Sequence, residues 1–299
     1  MIKVIKWHEL SYLPLKIAFM SKSKFPEGIS ADKAIFESEH ARLYKADSID
    51  FMNLMPEKSV NMIFADPPYN LSNDGYTVHA GKRVSVNKGE WDKSKGIKED
   101  FDFHYRWLEA ARRILKDDGS IWVSGTYHSI YACGYAMQLL DFRFLNDIAW
   151  YKPNAAPNLG CRMFTASHET LIWASKSKKA KHTFNYDLMR EGNFPGDSLK
   201  NPGKQMRSVW SITTPGKFEK VHGKHPTQKP LTLLDRIILA STSPGDIVLD
   251  PFSGSATTGV AAILNQRNYI GIDLDDNFIH NLAIPRISDA EIEIVQRLL

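Results

Sequence analysis

Asp66-Pro67-Pro68-Tyr69 closes the apolar run VNMIFA and combines a carboxylate, two rigid carbonyls and an aromatic ring. Proline fixes φ and has no N–H, so the two prolines offer acceptors without competing donors. Asp66 and the Pro67 carbonyl form two acceptors able to meet one amino group, with the flat Tyr69 ring beside them. That set suits a planar base carrying an exocyclic amine. A tight turn that merely contains two prolines is the plainer alternative, and the strand before and the aromatic after weigh against it. Asp250-Pro-Phe-Ser-Gly-Ser-Ala-Thr-Thr-Gly259 is a second strand-to-turn-to-helix junction, where the small residues Ser253, Gly254, Ser255 and Ala256 let a nucleotide-type ligand approach the backbone. The GxxxxGK[ST] phosphate loop is missing, which disfavours ATP hydrolysis. Asp273 ends the next apolar run at the place where a Rossmann-like sheet puts the acceptor for ribose hydroxyls. His225-Pro-Thr-Gln-Lys-Pro230 is a rigid polar turn leading into a helix, with no partner set for a metal, so none is expected.

The charge distribution adds a possible polyanion surface. Net charge is only +4, but residues 176–224 hold eleven Lys/Arg against four acids, +7, which leaves −3 for the rest. The same stretch carries Phe184, Tyr186 and Trp210, a mixture suited to gripping phosphates and stacking on bases. A solvated insertion is the bland alternative. Arginine reads guanine bidentately, so Arg190 and Arg207 are the candidate sequence readers, and Lys178, Lys179 and Lys181 the candidate phosphate contacts. Residues 70–92, directly after the Asp66 motif, contain Lys82, Arg83 and Lys88 with three glycines and read as a mobile loop able to close over a base.

These residues must be held by a scaffold of ordinary composition. With 43% apolar, 24% charged and 11% aromatic residues, the 299-residue chain excludes disordered, collagenous and disulfide-scaffold classes. Cys133 and Cys161 cannot build a disulfide framework or a Cys-rich zinc site, which points to a reducing compartment. No apolar run approaches the roughly 18 residues of a membrane span. The stretch Tyr12 to Met20 contains Pro14 and Lys16 and lacks a cleavage site after it. The expectation is a cytoplasmic protein without export or membrane. ARLYKADS, SVNMIFAD, GSIWVSG, FLNDIAWYK, HETLIWASK, DIVLDPF and NYIGIDL read as strands, and FHYRWLEAARRIL, IYACGYAMQLL, PLTLLDRIILAST and TTGVAAILNQ as helices. Apolar strands alternating with helices predict a mostly parallel sheet covered on both faces. Residues 1–38 read as an N-terminal arm, 39–175 with 225–299 as the main domain, and 176–224 as an insertion.

DPPY, HPTQKP and DPFSGSATTG, in that chain order, resemble the β-class of amino-group DNA methyltransferases over roughly Arg42 to Asp276. That class is permuted so that the catalytic motif precedes the cofactor motif, with target recognition between. SVNKGEWDK, NAAPNLGCRMFTASHET and FNYDLM are most similar to the DpnA-type second methylase of GATC-specific systems, and next to HinfI-type enzymes, which recognise a GANTC-like site. The resemblance implies a Rossmann-like fold with a seven-stranded sheet, S-adenosyl-L-methionine as cofactor, and methylation of adenine N6 after base flipping. It places Asp66, Pro67, Pro68 and Tyr69 on the flipped base, Tyr69 by stacking. Asp250, Phe252, Ser253, Gly254, Ser255 and Thr257 would line the cofactor pocket, Asp273 its ribose, His225, Thr227, Gln228 and Lys229 its amino-acid end, and Ala46, Asp47 and Ser48 its adenine. Two departures stand out: Ala256 where the family prefers glycine, expected to tighten the turn, and Pro285, expected to interrupt the helix after Asp273. Double-stranded DNA is the implied partner, single-stranded DNA, a homodimer and a cognate restriction endonuclease being open. Cytosine-N4 methylation, favoured when serine replaces the first motif residue, NPPY-type methylation of RNA or glutamine, and a non-catalytic nucleic-acid-binding module are the rival readings.

Overall fold

Val60–Ala65, Ile247–Asp250 and Asn268–Asp273 are short apolar runs buried at nearly every position, which a strand requires when helices cover both of its faces. A computed structural model describes residues 24–26, 29, 31–69, 76–79, 82–85, 93–194, 196–197 and 203–298. Most of the N-terminal arm, Lys88 and most of the loop 70–92 lie outside the described residues. In chain order the elements are β1 (Phe36–Glu37), β2 (Ala41–Lys45), α1 (Ser48–Leu54), β3 (Val60–Ala65), β4 (Tyr76–His79), β5 (Lys82–Ser85), α2 (Ile97–Ile114), β6 (Leu115–Gly125), α3 (Ile130–Leu139) and β7 (Arg143–Tyr151). They continue with β8 (His168–Ser175), α4 (Tyr186–Glu191), β9 (Val209–Ser211), α5 (Leu231–Ser241), β10 (Ile247–Asp250), α6 (Thr257–Leu264), β11 (Asn268–Asp273), α7 (Asp276–Phe278) and α8 (Ile284–Leu298).

The main sheet runs β1-β2-β11-β10-β3-β6-β8-β7-β9. The seven expected strands are its centre, and β1 and β9 extend it to nine. From β2 to β6 all neighbours are parallel, whereas β8 is antiparallel to both β6 and β7. The carboxyl ends of β2, β11, β10, β3 and β6 therefore share one edge, where ligands of open α/β sheets bind. Because Gly125 pairs with Thr170, the reversed β8 begins at that edge, and Tyr151 opposite His168 brings the end of β7 there too. One face of the sheet carries a core that includes Met52, Trp107, Leu108, Ile114 and Met137 from α1, α2 and α3. The other face carries Leu233, Ile237, Ala261, Ile263 and Ile287 from α5, α6 and α8.

Two expectations about the chain's local course are revised. Ala256 does more than tighten a turn: it sits in the left-handed region at φ 54°, which explains the family's glycine, since a Cβ there costs about 1–2 kcal/mol. Pro285 does not interrupt the C-terminal helix. The chain stays helical from Asp276 through a π turn at Ile279–Ala283 into α8, with the Ile284 N–H reaching Ile279 O; Pro285 follows this wider turn directly, where the regular ladder is already broken. Within the loop 70–92, the described residues form an antiparallel hairpin of β4 and β5, which contains Lys82 and Arg83.

The described residues of 176–224, expected to be an insertion, are fastened to the main sheet and to α5. Strand β9 pairs with β7, Asn185 Nδ2 donates to Leu239 O and Thr242 O at 2.7 and 2.8 Å, and Asp197 pairs with Arg236 of α5 at 2.9 Å. Trp210, expected to stack on bases, is buried beside Trp122, and Phe184 packs on Trp173. The buried Trp210 ring helps hold this segment down and is not free for a nucleobase, whereas Phe184, packed on Trp173 by one side, is 41% exposed, as is Tyr186.

Candidate active site

A cleft of about 680 Å³ opens at the shared carboxyl edge, within the size range of small-molecule sites. It is lined by all four residues assigned to catalysis and by every residue assigned to the cofactor, from Ala46 to Asp273. The four parallel strands β2, β3, β10 and β11 deliver, in turn, Ala46-Asp47, Asp66, Asp250 and Asp273. Carboxylates thus dominate the polar side of the cleft, an arrangement suited to amines, hydroxyls and a cationic ligand.

The glycine turn and Asp273 are one unit. Gly254 N–H donates to Asp273 Oδ2 at 2.6 Å, and Asp275 N–H to Oδ1 at 2.8 Å. Each carboxylate oxygen can accept a second hydrogen bond, so Asp273 keeps capacity for a ligand hydroxyl. Burial raises its pKa, against the backbone amides that favour its charged form. Gly254 itself has φ 50°, and a Cβ there would lie 3.0 Å from the His225 ring, so the turn needs glycine for conformation and for clearance. His225 stacks edge-on against Phe278, 4.3 Å between centroids. Asp250 is pushed up to about 7 by burial, although the Thr258 hydroxyl and the Phe252 amide bond to it. Asp47 caps α1 through the amides of Ile49 and Asp50. Gln228 donates to Glu219 O at 2.8 Å, which anchors the HPTQKP turn.

At the other end of the cleft, Asp66 Oδ2 accepts from Lys229 Nζ at 2.5 Å and Oδ1 from the Tyr69 hydroxyl. Lys229 also donates to Tyr69 Oη at 2.9 Å and lies 3.5 Å from Glu169 Oε2. The Tyr69 hydroxyl is 3.2 Å from both Ser124 Oγ and Glu169 Oε2, and Lys152 pairs with Glu169 Oε1 at 3.0 Å. Burial raises the pKa of Asp66 in opposition to Lys229. Glu169 is buried as well, yet Lys229 and Lys152 together hold it down at about 2. Lys229, assigned to the cofactor's amino-acid end, is thus salt-bridged to Asp66, and the Tyr69 hydroxyl, to which a stacking role gives no part, is fully engaged.

Sequence reasoning missed Glu169, Ser124 and Lys152. An acid opening the strand HETLIWAS is the only local signal, and it cannot show that β8 runs backwards beside β6. Also missed was Arg286, which donates to Ser255 O at 2.6 Å and Thr257 Oγ1 at 2.8 Å and thereby braces the glycine turn from α8. Of the DNA candidates, Lys178, Lys179, Lys181 and Arg207 are exposed. The Arg190 guanidinium is matched by Glu191 at 2.8 Å and Asp187 at 3.3 Å, which leaves Arg207 the stronger candidate of the two. Among the described residues no cluster of three metal-ligating side chains occurs, and no helix is long and apolar enough to cross a membrane.

Comparison with known proteins places this geometry. Residues 60–284 match the model of a family described as DNA methylase. The chain is 49% identical over 249 residues to the Type II methyltransferase M2.MboI of Moraxella bovis, covering 83% of this chain and 88% of that protein. It is 47% identical over 253 residues to M2.DpnII of Streptococcus pneumoniae (84% and 91% covered) and 44% identical over 243 residues to M.HinfI of Haemophilus influenzae (79% and 66%). The crystal structure of an M1.HpyAVI–SAM complex superposes with a TM-score of 0.60 at 27% identity, covering 83% of this chain and 98% of that one. The motif order, the carboxylate-lined cleft at the sheet edge and these matches agree: the chain belongs to the DNA methylase family.

Proposed function

We infer that this enzyme transfers a methyl group from S-adenosylmethionine to N6 of an adenine in a short duplex sequence, GATC-like or GANTC-like, within a restriction–modification system. The observation that carries this reading is that the Asp66 acceptor and the Gly254–Asp273 unit open on one cleft, 680 Å³ in volume. The cofactor fits the residues present: Gly254 leaves bare backbone, Asp273 offers ribose an acceptor, and the acidic wall favours a cation. When bound, S-adenosylmethionine supplies an electrophilic methyl group on a sulfonium. Asp66, Pro67 and Tyr69 do the rest by position. The target amine is inaccessible in a stacked duplex, so the base is flipped into the cleft at a cost of a few kcal/mol. Its N–H groups donate to Asp66 and to the Pro67 carbonyl, which turns the nitrogen lone pair toward the methyl. An acid at position 66 favours adenine over cytosine. Tyr69 packs against the base while its hydroxyl fixes the Asp66 carboxylate, so Tyr69→Phe is expected to lose activity through a loosened Asp66. Expressing the chain in cells and sequencing their DNA by a methyl-sensitive long-read method tests the reading: N6-methyladenine in one recurrent context supports it, and N4-methylcytosine or unmodified DNA rejects it.

Asp273→Ala removes the ribose acceptor and the anchor of Gly254 together. The expected loss of S-adenosylmethionine affinity is about 1.5–3 kcal/mol, roughly ten- to hundredfold in Kd by calorimetry. Unchanged affinity would place the cofactor elsewhere.

Lys178, Lys179 and Lys181 are assigned to DNA phosphates. Changing all three to Gln is expected to weaken binding to cognate and scrambled duplexes alike and to flatten the log K against log salt slope by about three, one per lysine. Arg207→Ala is expected instead to blur the choice of site, by about 1–3 kcal/mol. Binding isotherms at several salt concentrations check both, and an unaltered slope in the triple variant moves the DNA contacts away from this insertion.

A further inference from the structure

The cluster behind Asp66 contains two carboxylates, Asp66 and Glu169, and two ammonium groups, Lys229 and Lys152, none more than 16% exposed. Their charges balance. Glu169, Ser124 and Lys152 are not among the described residues that line the cleft, whereas Asp66, Tyr69 and Lys229 are. Glu169 therefore stands one layer behind the wall. Its Oε1 is held by Lys152 at 3.0 Å, but its Oε2 receives only long contacts, 3.2 Å from Tyr69, 3.4 Å from Ser124 and 3.5 Å from Lys229. Asp66, by contrast, already accepts the Lys229 ammonium at 2.5 Å and the Tyr69 hydroxyl.

This geometry sets a competition. Each Asp66 oxygen has room for a second hydrogen bond, but a target amine that takes it shares the carboxylate with a stronger, charged donor and is held more weakly. Lys229 cannot simply leave, since an ammonium displaced without a partner in a buried site is strongly penalised. A second carboxylate lies within reach, and a shift of under an ångström would turn the 3.5 Å contact with Glu169 into a hydrogen bond. We propose that Glu169 is a positioning residue: it is the alternative seat for the Lys229 ammonium, which frees Asp66 to accept the target amine. Lys152 holds Glu169 ionised and in place for that exchange. The proposal rests on the reading of Asp66 as the amine acceptor, and it adds a residue that touches neither base nor cofactor.

The test is a double-mutant cycle in the whole chain, with an unmethylated duplex carrying the recurrent site at varied concentration and saturating S-adenosylmethionine. Glu169→Gln leaves Lys229 fixed on Asp66, so kcat/KM for DNA is expected to fall roughly 10- to 100-fold, while cofactor affinity by calorimetry holds. Glu169→Asp is expected to recover part of the loss. On a Lys229→Met background Glu169→Gln is expected to cost almost nothing more, because the group it acts through has gone. A full additive loss on that background, or cofactor affinity falling in step with transfer, overturns the proposal. A second measurement needs no catalysis: the side-chain ammonium NMR signal of Lys229, identified by its disappearance in Lys229→Met, is expected to move in DNA-free Glu169→Gln. An unmoved signal also overturns the proposal. A wild-type chain that methylates no DNA base rejects the functional reading instead, and the Lys229 signal still decides whether Glu169 holds that ammonium.

Discussion

Asp66→Ala is expected to cut methyl transfer by a factor on the order of 10²–10³ or more while leaving S-adenosylmethionine affinity largely intact. The size follows from removing a preorganised polar group aimed at the reacting nitrogen, which costs about that much in other enzymes. The separation of effects follows from placement. Asp66 ends β3, whereas the Gly254–Asp273 unit is built by β10, β11 and the turn between β10 and α6. The fold should survive, because Lys229 retains Glu169 at 3.5 Å and is not left as a lone buried charge. Asp66→Asn keeps the shape and one acceptor oxygen and is expected to fall between wild type and Ala. Transfer of labelled methyl to duplex DNA, beside calorimetry of the cofactor, checks this. Equal losses in both would return Asp66 to the cofactor site, and an active Ala variant would remove it from catalysis.

The second large effect concerns stability. Asp197→Ala is expected to cost about 3–5 kcal/mol, because it leaves the Arg236 guanidinium buried without its carboxylate. The two side chains are only 3% and 4% exposed, and Asp197 Oδ1 also accepts the Ser211 N–H at 2.9 Å, which ties β9 to the same pair. Arg236 lies over the rings of Phe194 and Trp210, at 4.2 and 4.8 Å, so no water shell is available to replace the lost partner. A shift of the thermal midpoint of the order of 10 °C is expected. The double variant Asp197→Ala, Arg236→Met should recover most of it, since an apolar replacement of a whole buried pair is often neutral. A midpoint unchanged in the single variant would mean that the insertion is held by its apolar contacts alone.

The strands and helices were legible because burial on two faces demands short continuous apolar runs, and helical spacing marks the layers between them. All seven expected central strands and the four expected helices are present. The cleft was legible for a related reason: Ala46-Asp47, Asp66, Asp250 and Asp273 each end a strand, and parallel strands deliver their ends to one edge. Composition, motif chemistry and the family resemblance therefore gave the scaffold and the strand-end side of the cleft, but not the wall built by Lys93, Lys95 and the first turns of α2, from Glu99 to Arg106.

What the tertiary structure alone decided depends on pairing between residues far apart in the chain. Trp210 looked like a stacking platform until β9 joined β7 and Asp197 met Arg236; its indole then became core. Nothing in the residue type of Ala256 marks the left-handed backbone that it adopts just before α6; only the family's glycine at that place points to it. Glu169 is separated from Asp66 by 103 positions in the sequence, and nothing within HETLIWAS reports that its strand runs antiparallel to β6. That one reversal places its carboxylate beside Lys229 and Tyr69. Local sequence encodes periodicity and reactive groups, but strand direction is fixed by the sum of long-range contacts, and the electrostatics of this site follow from strand direction.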